Sequence, residues 1–79
     1  MFTNKAANGW NNICGKQVSK YRKKMNISQR ELADRLQIAG LDVDKNAIQR
    51  IECGKRFVTD IELRALSTVL NKSIDEMLS

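Results

Sequence analysis

The chain has 79 residues, 42% of them apolar, with no histidine or proline and with fourteen Lys and Arg against nine Asp and Glu, a net charge of +5. One domain of this length buries roughly 60% of the surface its unfolded form exposes, which leaves little room for a substrate pocket. The composition excludes a wholly disordered chain; no apolar run is long enough for a membrane span or a signal-peptide core; and without histidine the usual zinc ligand and general base are missing.

Residues 1–12 show no periodicity and are expected to form a poorly ordered N-terminal arm, with Trp10 resting on the first or the last helix. The folded domain is expected to span 13–79. Ile13, Val18 and Tyr21 fit a helix over about 13–25, ending near Met25-Asn26, with Ile27 packed just before the next start. Ser28-Gln-Arg-Glu31, Thr59-Asp-Ile-Glu62 and Ser73-Ile-Asp-Glu76 each place a hydroxyl at an N-cap and a glutamate three residues on. That is the capping box, in which hydroxyl and carboxylate each take one backbone amide.

The first box opens a helix over 28–39, with Leu32, Ala33 and Leu36 as its apolar stripe. Ile48 and Ile51, with Gly54 as a stop, mark a helix over 44–53. The second box opens a helix over 59–70 with a broad stripe of Ile61, Leu63, Ala65, Leu66, Val69 and Leu70; the third opens a short helix over 73–78 carrying Ile74, Met77 and Leu78. Alternating strand patterns are absent, so the predicted class is all-α, a compact five-helix bundle.

Charge is unevenly spread. Residues 1–30 hold seven bases (Lys5, Lys16, Lys20, Arg22, Lys23, Lys24, Arg30) and no acid, whereas residues 59–79 hold two bases against four acids. A polyanion such as nucleic acid suits the basic part, although "KYRKK" (20–24) by itself equally describes a solvated helix face. Cys14 and Cys53 form no CxxC pair and read as two thiols in a reducing cytoplasm. No metal site and no cofactor are expected.

The ordered set "KYRKK", "SQRELADRL" (28–36), "NAIQRIECGKR" (46–56) and "LNKSIDEML" resembles the lambda-repressor/Cro-type, XRE-like helix-turn-helix family. The resemblance runs from about Ile13 to Leu78. It implies a sequence-specific, double-stranded DNA-binding transcriptional regulator, most simply a repressor, with the helix over 44–53 in the major groove. Gln29 matches the glutamine that anchors a DNA phosphate, Ala33 the small residue between the two motif helices, and Arg22 and Glu52 a structural ion pair. Lys55 and Arg56 fall in the loop that touches the DNA backbone, and Lys24 and Arg30 are further phosphate candidates.

With Ile48 and Ile51 turned inward, helical geometry turns Lys45, Asn46, Gln49 and Arg50 outward. Lys and Arg suit guanine edges and Asn and Gln adenine edges, so these four are the candidate base contacts; an ordinary polar helix face is the plain alternative. The resemblance also implies a homodimer on a two-fold site, with Ile74, Met77 and Leu78 as candidate interface.

One departure stands out. The small residue and the first buried isoleucine are ten apart in the family's usual pattern, and here Ala33 and Ile48 are fifteen apart. The five additions, "QIAGL" (37–41), are predicted to extend the second helix by a turn. Gly40 then becomes the left-handed residue of a Schellman ending, with Leu41 closing on Leu36. Asp44 caps the next helix, and Val43 staples onto Ile48.

Two other classes compete with this reading. A protein-interaction module or antitoxin-like regulator could use the same bundle. An enzyme fits poorly, since the sequence offers no glycine-rich phosphate loop and no nucleophile–base set.

Overall fold

The structure, a computed structural model, describes residues 5, 6 and 8–79. Among them every regular element is a helix: α1 Gly15–Lys24, α2 Gln29–Ile38, α3 Lys45–Glu52, α4 Asp60–Leu70 and α5 Ile74–Met77.

The helix starts follow the caps written in the sequence. Ser28, Asp44, Thr59 and Ser73 sit in extended backbone, and their side chains accept from the amides of Glu31, Ala47, Glu62 and Glu76. Each thereby satisfies an amide that the helix leaves without an internal partner. In α4 and α5 the box is complete, with Glu62 and Glu76 accepting from the Thr59 and Ser73 amides at 3.0 and 3.1 Å. In α2 it is only half made. The Glu31 carboxylate instead accepts from Arg35 Nη2, one turn on, at 2.9 Å; α4 has Leu66 at the corresponding place, so nothing there draws the glutamate away.

The ends share one device. Asn26, Gly40, Gly54 and Asn71 are left-handed. The following amides, of Ile27, Leu41, Lys55 and Lys72, reach back to the carbonyls of Arg22, Leu36, Arg50 and Ser67 at 3.4, 2.9, 2.9 and 3.0 Å. This is the Schellman closure, and asparagine and glycine are the residues that enter the left-handed region most easily.

All five helices contribute to one core. Val18, Leu32, Leu36, Ile48, Ile51, Leu66 and Met77 are fully buried, with Ile27 and Val43 added from the connections. The α3 helix packs against α1 and α2, while α4 packs against α1, α2 and α5. Its inner face is therefore covered and its outer face free.

The extended corner folds largely as its residues predict. The Gly40 amide donates to Gln37 O at 3.0 Å and the Leu41 amide to Leu36 O at 2.9 Å, Leu41 packs on the core, and Val43 and Ile48 are both buried. Ile38 breaks the expectation that each added aliphatic residue finds a place, for it is 87% exposed. It lies about 200° around the helix from Leu36, which faces the core. A further brace was not legible: Gln37 Nε2 donates to Val43 O at 2.7 Å, across the turn.

Three other expectations need correction. The first helix begins at Gly15, so Ile13 precedes it and is exposed. Ile61 faces solvent, because Glu62 beside it turns inward to Arg56. Residues 10–12 are not frayed: they are hydrogen-bonded to the segment that follows α3, with Asn12 buried. Part of the expected arm, residues 1–4 and 7, lies outside the described residues.

Candidate nucleic-acid interface

The candidate reading surface is the outer face of α3. Ile48 and Ile51 are buried three residues apart, and Lys45, Asn46, Gln49 and Arg50 are all exposed. At 3.6 residues per turn, side chains at these positions cluster away from that apolar seam. Asp44 takes the amide of Ala47 at 2.8 Å. Its carboxylate is thereby tied to the backbone at the head of α3, which favours negative charge at the positive end of the helix dipole.

Free positive charge surrounds this helix. Lys24, Arg30, Lys45, Arg50 and Lys55 are exposed, and none makes an ion pair within 4.0 Å among the described residues. The paired cations are others: Arg22, Arg35, Arg56 and Lys72. Exposed, unpaired ammonium and guanidinium groups are available to a phosphate without first losing a partner.

A three-membered network holds the base of α3. Arg22 Nε and Nη2 donate to the two Glu52 oxygens at 2.7 and 3.0 Å, and Arg22 Nη1 donates to Ile27 O at 2.9 Å. Gln29 Nε2 donates to Glu52 Oε1 at 3.0 Å. The Glu52 carboxylate raises the Arg22 pKa further, against the opposing effect of burial. One carboxylate at the end of α3 thus ties together the end of α1 and the start of α2. Sequence reading made Gln29 a phosphate anchor through its side chain; in the structure that amide is directed at Glu52.

Arg56 was also expected to hold phosphate. Its Nη1 and Nη2 instead donate to Glu62 Oε1 and Oε2 at 3.0 and 2.8 Å, the bidentate geometry in which guanidinium and carboxylate match best. Burial pushes the Glu62 carboxyl up, but the Arg56 guanidinium and the Thr59 amide outweigh it and hold the pKa below the ordinary carboxylate value. The six-residue separation spans a loop, so no helical spacing betrays it.

The two thiols differ. Cys14 is buried and its pKa is raised, chiefly by desolvation, whereas Cys53 is exposed at the C-cap of α3. Both are free. Among the described residues no cluster of three metal-ligating side chains occurs, and no helix is long and apolar enough to cross a membrane.

A helix-turn-helix family profile matches residues 18–77, which covers α2, the corner, α3, α4 and nearly all of α1 and α5. The chain belongs to the helix-turn-helix family. Its class of activity is that of a DNA-binding transcriptional regulator, of the lambda-repressor-like fold. Among solved structures it resembles the P22 c2 repressor, solved in complex with synthetic operator 9T in the presence of Tl+. That match has a TM-score of 0.72 and 28% identity, and covers 86% of this chain and 96% of that one. It also resembles the restriction-modification controller protein C.AhdI from Aeromonas hydrophila, with a TM-score of 0.70 and 23% identity over 81% of this chain and 86% of that one, a likeness of fold. No curated protein matches the chain.

Proposed function

We propose that this helix-turn-helix protein binds duplex DNA in a sequence-specific way, with α3 in the major groove, and acts as a repressor. The observation that carries the reading is the division of α3: Ile48 and Ile51 fully in the core, and Lys45, Asn46, Gln49 and Arg50 all at the surface. The fold shared with an operator-bound repressor supports it. In this reading Asn46 and Gln49 bond adenine edges, and Lys45 and Arg50 bond guanine edges or flanking phosphates. Lys55, Lys24 and Arg30 fix the register on the sugar-phosphate backbone.

Gln29 and Arg56 take lesser parts. Gln29 contributes its helix N-terminus, whose free amides favour an anion, while its side chain keeps Glu52 in place. Arg56 holds the loop through Glu62 and presents only its outer edge to DNA.

A homodimer on a two-fold site is the assembly most consistent with such readers. Met77 is fully buried and takes no part in that contact, so Ile74 and Leu78, each about 40% exposed, remain as the α5 candidates. Two free cysteines support action in a reducing cytoplasm.

The test is the affinity for random duplex DNA across a salt series. Binding should weaken steeply as salt rises, with a log–log slope of about −0.9 for each phosphate neutralised. A flat salt dependence would reject DNA as the partner.

A further inference from the structure

Resting on the reading of α3 as the DNA-reading helix, we infer that Trp10, Asn11 and Asn12 form a strap that positions Lys55 for its phosphate, making the three positioning residues of DNA binding. The segment they hold, 51–56, contains the end of α3 and the loop carrying Lys55. Asn12 Nδ2 donates to Ile51 O at 3.1 Å and to Arg56 O at 2.7 Å, so one amide group spans both ends of that segment. The Asn11 amide donates to Gly54 O at 2.8 Å, and Asn11 Nδ2 to Lys55 O at 3.0 Å. Four carbonyls of the segment are thus turned toward the strap.

The other side of Asn12 completes the lever. Its Oδ1 accepts from the Gly15 amide at 2.8 Å, which fixes the side chain to the start of α1. Trp10 covers Gly54 so closely that a Cβ on Gly54 would lie 2.1 Å from the indole Cδ2. Lys16 Nζ sits 5.3 Å from the same ring, holding the indole from α1. Asn12 is buried, whereas Lys55 is exposed with no ion-pair partner among the described residues.

The consequence is preorganisation. A loop fixed before binding loses little further freedom when Lys55 meets a phosphate, whereas a loose loop must be ordered by the DNA itself. Carbonyls drawn toward the strap are also kept from presenting their negative ends to an approaching phosphate.

The test is a double-mutant cycle between Asn12→Ala and Lys55→Ala, read as DNA affinity across a salt series. Asn12→Ala should lower affinity for random duplex about tenfold and reduce the salt slope by about one, as if the Lys55 contact were gone. The double variant should be no weaker than Lys55→Ala by more than about twofold. Additive losses, or an unchanged salt slope in a folded Asn12→Ala, would overturn the proposal.

Asn11→Ala guards against loss of folding, because it removes only the exposed bond to Lys55 O. A roughly threefold loss of affinity that vanishes in the Lys55→Ala background supports the strap, and no loss contradicts it. Failure of the unaltered protein to bind DNA would instead reject the reading on which the strap rests.

Discussion

At its N-terminal end α3 is held by residues close to it in sequence. Asp44 takes the Ala47 amide, Gln37 donates to Val43 O six residues away, and Leu41 closes on Leu36. At its C-terminal end the partners come from 23 to 44 residues away: Gln29 and Arg22 on Glu52, Asn12 on Ile51 and Arg56, and Asn11 on Lys55. The contrast explains where the chain accepts five additional residues. A locally closed corner absorbs a further helical turn because its caps and Schellman ending travel with it. The distal end has no such freedom, since any displacement there breaks bonds to two other helices and the strap.

The largest effect should come from the far end. Glu52→Ala leaves Arg22 partly buried without its carboxylate and removes the partner of Gln29. Loss of one member of a buried pair costs about 3–5 kcal/mol, and urea denaturation should show it. A change under about 1 kcal/mol would mean that this network does not anchor α3.

Two glycines then compare the ends under one substitution. Gly40 and Gly54 are both left-handed, with φ of 97° and 81°, and both end a helix. A Cβ at Gly40 meets nothing within 4 Å, whereas at Gly54 it runs into Trp10. Gly54→Ala should therefore cost about 2–4 kcal/mol, from backbone strain plus overpacking, against about 1 kcal/mol for Gly40→Ala from the backbone alone. Equal losses would show that the indole moves aside freely.

The smallest effect belongs to the cap. Asp44→Ala should lower stability by about 1 kcal/mol. Because the same change removes a negative charge beside the reading face, DNA affinity should not fall in proportion. A loss above about 2 kcal/mol would make this end as firmly anchored as the other.

The same contrast decides what could be read from the sequence. The caps at Ser28, Asp44, Thr59 and Ser73, the Gly40 ending and the inward Ile48 and Ile51 are signals carried by neighbouring residues, and all appear as expected. Met77 was legible as apolar, but its periodicity could not separate a core position from an interface. The strap was hidden because Trp10, Asn11 and Asn12 show no period, and their partners lie some forty residues away. Arg22–Glu52, equally distant, was seen only because family resemblance supplied the pairing. Charge pattern marked Arg56 as a phosphate ligand, and only three-dimensional packing turns it to Glu62.

Whether the outer face of α3 reads bases is best decided on duplexes selected from a random pool by the protein itself. The affinities of Asn46→Ala and Gln49→Ala for a selected duplex and for a random one are then compared at one salt concentration. Each should lose about 1–3 kcal/mol on the selected duplex and almost nothing on the random one. Equal losses on both, or a pool that yields no preferred sequence, would contradict sequence reading by this helix.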